Sequence, residues 1–114
     1  MGDSSTNGFN QRKKAFAAKY LHDEDLTFRI SARRNHLFGL WAAGLLGYTP
    51  EKAEAYVEEV ILADFQKSHD KDVFLKVLGD LEAAKVKISE HRVHKEFERC
   101  WVKAEKMIMH GEEV

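Results

Sequence analysis

From Phe9 onward, apolar side chains recur every three or four residues, the spacing that lines one face of an α-helix. Phe9, Phe16 and Tyr20 are seven and four apart, with Arg12, Lys13, Lys14 and Lys19 between them, which predicts a basic amphipathic helix over residues 10–21. His22-Asp23-Glu24-Asp25 then gathers carboxylates where the positive end of a helix dipole favours them, so a second helix begins here or the first one bends. Leu26, Ile30, Arg33, Leu37, Leu40 and Gly44 follow in alternating steps of four and three, a heptad-like seam. Gly47-Tyr48-Thr49-Pro50 closes that helix and opens another: Gly47 suits a left-handed cap, Thr49 an N-cap and Pro50 the first helical position. The next stripe is Ala53, Tyr56, Val57, Val60, Ile61 and Phe65, with Glu51, Glu54, Glu58 and Glu59 on the solvent side. After the polar turn over residues 68–72 come Val73, Phe74, Val77, Leu78, Leu81 and Ala84, a pattern that fades at residues 85–87. Ser89 caps the last helix, with Ile88 and Val93 placed as a hydrophobic staple and a stripe through Phe97, Cys100, Trp101, Ala104, Met107 and Ile108. Alternation of apolar and polar residues never persists long enough to predict a strand. The expected fold class is therefore all-α: a four-helix bundle joined by short turns, preceded by a mobile basic amphipathic segment.

Composition narrows the class further. A chain of 114 residues, 44% hydrophobic and 32% charged, supports one core, and a single proline with abundant alanine and leucine fits helices. The longest apolar stretch, residues 37–46, is about half of the roughly 20 residues that span a bilayer, so no membrane insertion is expected. The first eight residues are small and polar, with neither an apolar signal core nor an Arg-rich transit pattern; this argues for a mobile tail and against export. Lone Cys100 has no partner for an internal disulfide, which fits a reducing compartment. The net charge of -1 averages unlike parts: residues 1–19 hold four basic side chains against Asp3, balanced by the acidic second core helix.

Several chemistries fail on spacing. No phosphate-binding glycine loop is present, and no glutamate has a histidine three residues on, as a di-iron bundle needs. His91 and His94 lack a third ligand nearby, Cys100 has no visible base, and His22 beside three acids reads as a solvated helix start. No catalytic residue, metal or cofactor is expected. The small residues Gly39, Ala43, Gly44 and Gly47 predict close helix contact opposite a large side chain such as Trp101. Four cations on a short arm make too small a footprint for nucleic acid. They fit better a segment that docks its Phe9, Phe16 and Tyr20 face into a groove on another protein.

The run Ala32-Arg33-Arg34-Asn35-His36-Leu37-Phe38-Gly39-Leu40-Trp41-Ala42-Ala43 resembles the signature of the alphaproteobacterial ATP synthase inhibitor family, the zeta subunit. The resemblance extends through Lys14-Ala15-Phe16-Ala17-Ala18-Lys19-Tyr20, Ala53-Glu54-Ala55-Tyr56 and Asp80-Leu81-Glu82-Ala83-Ala84, covering residues 9–105. It implies a noncatalytic, regulatory four-helix bundle, monomeric when free, that binds the catalytic head of the rotary ATP synthase. Its inhibitory element would enter an interface between alpha and beta subunits near the gamma rotor and suppress ATP hydrolysis. The matching positions are residues 1–19, with Phe9, Gln11, Arg12, Lys13, Lys14, Phe16 and Lys19 as the contacting side chains and Tyr20 adjoining them. The implied division is an arm over 1–21, a bundle over 22–110 and a disordered end over 111–114. The implied location is cytoplasmic, at the cytoplasmic face of the inner membrane through the synthase. Relatives carry an acidic cluster in the arm, where this chain has Asn10, Gln11, Ala17 and Ala18; Gly44 and His36 also depart, from the usual glutamate and lysine. A competing expectation is a nucleotide- or small-ligand-sensing bundle in which Arg33, Arg34 and Asn35 meet a phosphate.

Overall fold

Capping chemistry sets the helix ends in the computed structural model, which describes residues 24–67 and 70–111. Four helices run through them: α1 (Glu24–Leu46), α2 (Pro50–Lys67), α3 (Asp70–Ala83) and α4 (Glu90–Met109). The expected arm helix over 10–21 and the residues assigned to it lie outside the described part of the chain.

At the end of α1, Gly47 takes φ 75°, and two backbone bonds, Gly47 N to Gly44 O at 3.2 Å and Tyr48 N to Ala43 O at 3.1 Å, satisfy carbonyls the helix leaves open. Thr49 Oγ1 then accepts from Lys52 N at 3.3 Å, so Pro50 occupies the first helical position, where its missing N–H costs nothing. Ser89 caps α4 by accepting from Arg92 N at 3.1 Å. α3 ends in the same bonding pattern as α1, with Val86 N to Leu81 O at 3.0 Å, but the left-handed position is held by Lys85 at φ 59°. A side chain there costs about 1 kcal/mol that glycine avoids. Lys85→Gly is therefore expected to raise stability by about 0.5–1 kcal/mol, read as a higher urea midpoint with an unchanged slope.

α1 packs against all three other helices, and α2, α3 and α4 follow one another around it. The core gathers Phe38, Ala42 and Ala43 from α1, Tyr56 and Val60 from α2, Val73, Val77 and Leu81 from α3, and Val93 and Cys100 from α4. Phe38 lies at its centre, stacked on Trp41 with ring centroids 5.7 Å apart and edge-on to Phe97 at 4.9 Å. A second, smaller cluster joins Ile30 to Ala104 beside Trp101.

The stripes expected of α2, α3 and α4 face inward at their centres, while Ala84 lies past the end of α3 and is exposed. The seam expected of α1 is corrected. Of Leu26, Ile30, Arg33, Leu37, Leu40 and Gly44, only Ile30 is fully buried; the buried set is Ile30, Arg34, Asn35, Phe38, Gly39, Ala42 and Ala43. A helix touching three neighbours buries more than one stripe, and its closest contacts fall on small residues rather than leucines. Gly39 shows this: a Cβ there would meet Val57 Cα and Cγ2 at 3.3 Å. The close approach expected of the small residues is thus made to α2, by Gly39, and not to Trp101.

Candidate functional site

Two polar residues in the middle of α1 are the least expected feature of the interior. Arg34 is 2% exposed and Asn35 fully buried. The Arg34 guanidinium lies over the Phe97 ring, 4.1 Å from its centroid, and over Trp101 at 5.3 Å; its Nε donates to Asn35 Oδ1 at 2.7 Å. A flat, weakly hydrated guanidinium is well suited to lying against aromatic faces. Asn35 Nδ2 is buried with no hydrogen-bond acceptor among the described residues. The α1–α4 seam is thus joined by a cation on two rings. Arg33, one step round the helix, is half-buried. Of the three residues weighed for a phosphate, Arg34 and Asn35 therefore lie inside the seam and Arg33 at its edge.

Two open grooves, each of about 420 Å³, flank α1 on either side. The one against α4 has an apolar wall of Leu37, Leu40 and Trp41 facing Arg92, Arg99 and Lys103. Glu96 lies in it, paired with Arg92 Nη1 at 3.3 Å and within 3.8 Å of the Cys100 thiol. Burial and then the Glu96 carboxylate push that thiol up to about 12, so Cys100 stays protonated at neutral pH and is a packing group rather than a nucleophile. The groove against α2 has the opposite charge: His36, Leu40, Glu54, Val57, Glu58 and Ile61 line it.

Burial, followed by neighbouring Arg33, lowers the pKa of His36 below its ordinary 6.5, against a smaller raising effect from Glu54. In the interval between the lowered value and the ordinary one the unfolded chain binds more protons, so stability rises with pH there and falls on acidification below about 6.5. His36→Gln is expected to remove that part of the slope, checked as the difference between the two proteins' urea midpoints across the range.

A third polar cluster ties α2 to α3. The Tyr56 hydroxyl donates to Asp80 Oδ2 at 2.8 Å, and Lys76 Nζ bridges Asp80 at 3.1 Å and Glu59 at 3.3 Å. Burial and the Asp80 bond push the phenol far above its usual range. Burial works against the Lys76 charge, but the bonds to Asp80 and Glu59 outweigh it and raise its pKa. Both groups keep their protons at neutral pH, so their bonds to Asp80 and Glu59 hold the helix pair together. Among the described residues no group of three His, Cys, Asp or Glu side chains could hold a metal, and no helix is long and apolar enough to cross a membrane.

Sequence reasoning missed that Glu96 is buried, although Arg92 and Cys100, four residues to either side, mark its face of α4. The expected partner-binding side chains, Phe9, Gln11, Arg12, Lys13, Lys14, Phe16, Lys19 and Tyr20, lie outside the described residues. Comparison with curated proteins found no match. The sequence pattern of the family described as ATPase inhibitor subunit zeta matches residues 6–107, a span that takes in α1, α2, α3 and all but the last two residues of α4 and begins well ahead of Glu24. This chain therefore belongs to the ATPase inhibitor subunit zeta family.

Proposed function

We propose that this protein is a noncatalytic regulator that binds the catalytic head of the rotary ATP synthase and suppresses its ATP hydrolysis with residues 1–19. The family match carries the reading, because it spans both the bundle and the basic segment ahead of it. The bundle's interior polar groups fit it too: Arg34, Asn35 Oδ1, Glu96 and Cys100 are engaged with one another or with aromatic rings, which supports a protein that acts through its surface.

In this reading Phe9, Phe16 and Tyr20 enter an interface between alpha and beta subunits near gamma, while Arg12, Lys13, Lys14 and Lys19, with Gln11, meet its polar rim. A wedge that fits one conformation of a cycling interface holds the rotor there, with no bond made or broken; it needs only a higher affinity for that conformation than for the others. Residues 1–21 act as the arm and 22–110 as the bundle that carries it, the protein being monomeric when free and held at the cytoplasmic membrane face through the synthase. The test is titration of the full chain into the cognate head during steady ATP hydrolysis. The rate is expected to fall to a plateau at saturation; an unchanged rate at saturation contradicts the reading.

A further inference from the structure

We propose that the acidic groove between α1 and α2 is a docking site for this chain's own N-terminal segment, so that the bundle competes with outside partners for the arm. Of the grooves beside α1, the two of about 420 Å³ have equal volume and both have apolar walls, so charge decides between them; a smaller one of about 360 Å³ at Arg34, Phe97 and Trp101 offers only one carboxylate, Glu98. Residues 1–19 carry Arg12, Lys13, Lys14 and Lys19 against Asp3 alone. The α4 groove presents Arg92, Arg99 and Lys103 against Glu96 alone and repels such a segment. The α2 groove presents Glu54 and Glu58, both exposed and in no ion pair among the described residues, above the apolar surface of Leu40, Val57 and Ile61. Leu40 is 41% exposed at its rim, an apolar side chain that a docked aromatic would cover.

Reach and register agree with this assignment. His36 lies twelve residues into α1 from Glu24, about 18 Å along the axis. Arg12 lies twelve residues before Glu24, so in the proposed docking a chain that reverses ahead of Glu24 and returns as a helix would bring Arg12, Lys13 and Lys14 level with His36. Phe9 then falls near Leu40, and the three cations face Glu54 and Glu58. An extended return would reach still farther, so length imposes no obstacle. His36, inclined to its neutral form by burial, adds little competing positive charge to the groove.

The site is tested on the full chain without any partner, so its failure leaves the inhibitory reading standing. A nitroxide attached at Asn10→Cys reports proximity through broadening of backbone amide signals; native Cys100 is buried and its thiol held protonated, so it stays unlabelled. At low ionic strength the amides of residues 36–40 and 54–61 are expected to lose about half or more of their intensity, and residues 92–103 to keep theirs. The loss is expected to vanish at about 1 M salt, where the screening length is about 3 Å. It is also expected to vanish in Glu54→Gln/Glu58→Gln, whose exposed positions leave the core untouched. No broadening, broadening centred on the α4 groove, or broadening indifferent to salt and to the glutamate changes overturns the proposal. So does broadening that requires labelled and isotope-enriched molecules to be different copies, which would make a second chain the occupant.

Discussion

Phe38→Ala is expected to cost about 3–5 kcal/mol, enough to leave the bundle unfolded or barely folded at room temperature. Phe38 is fully buried where α1 meets the other helices, and its ring touches Trp41 and Phe97. Phe97 in turn packs edge-on to Phe74 at 5.7 Å and beneath Arg34, so the cavity left by truncation sits at the junction of α1, α3 and α4. The helix backbones around it are held by Gly39 against Val57 and by the capped ends, and collapse into the gap would break those contacts. At about 4–8 °C per kcal/mol for a domain of this size, the melting temperature should fall by more than about 12 °C. Phe38→Leu, which keeps much of the volume, should lose markedly less. Equal losses for the two would mean that the ring's position, not the space it fills, is what matters.

Arg34→Ala is the second large effect, expected at about 2–4 kcal/mol although it removes no apolar core residue. The substitution takes the guanidinium off Phe97 and Trp101 and leaves Asn35 Oδ1, fully buried, without its donor. A desolvated cation–π contact contributes about 2 kcal/mol, and an orphaned buried acceptor costs about 1–3. Arg34→Lys keeps the charge but not the plane that stacks on two rings while its Nε reaches Asn35, so it should recover less than half of the loss. Thermal unfolding of the three proteins decides this. A lysine variant as stable as the parent would mean that Arg34 acts through charge alone.

What could be read from the chain and what could not divide along the range of the interactions. Helix ends were legible at Gly47, Thr49-Pro50 and Ser89, because a cap is made within a few residues of itself. The faces of α2, α3 and α4 were legible near their centres, because each buries mainly one stripe. The face of α1 was not. It contacts three helices, so its apolar periodicity is blurred, and its exposed Leu40 and half-buried Leu37 carry a stronger pattern than its buried Gly39, Ala42 and Ala43. The ARRN run held the family signal, yet its physical role appears only in the fold: Arg34 and Asn35 join α1 to α4. The buried Glu96 was missed because a carboxylate in a charged helix reads as solvated until the helix facing it is known. The opposite charges of the two grooves also depend on helix arrangement, since each combines α1 with the facing residues of another helix.

The proposed arm is where the account can be tested most directly, since the family pattern reaches back to residue 6 and the core among the described residues begins at Ile30. Deleting residues 1–19 removes none of the side chains buried among the described residues, so the shortened chain is expected to keep the bundle while losing the four cations and the aromatics Phe9 and Phe16. The most direct measurement is therefore a side-by-side titration of the full chain and the chain lacking residues 1–19 into the cognate catalytic head, reading the rate of ATP hydrolysis. The full chain is expected to bring the rate to a low plateau, with the shortened chain leaving it at its starting value. Equal inhibition by both would place the inhibitory surface on the bundle and contradict the account.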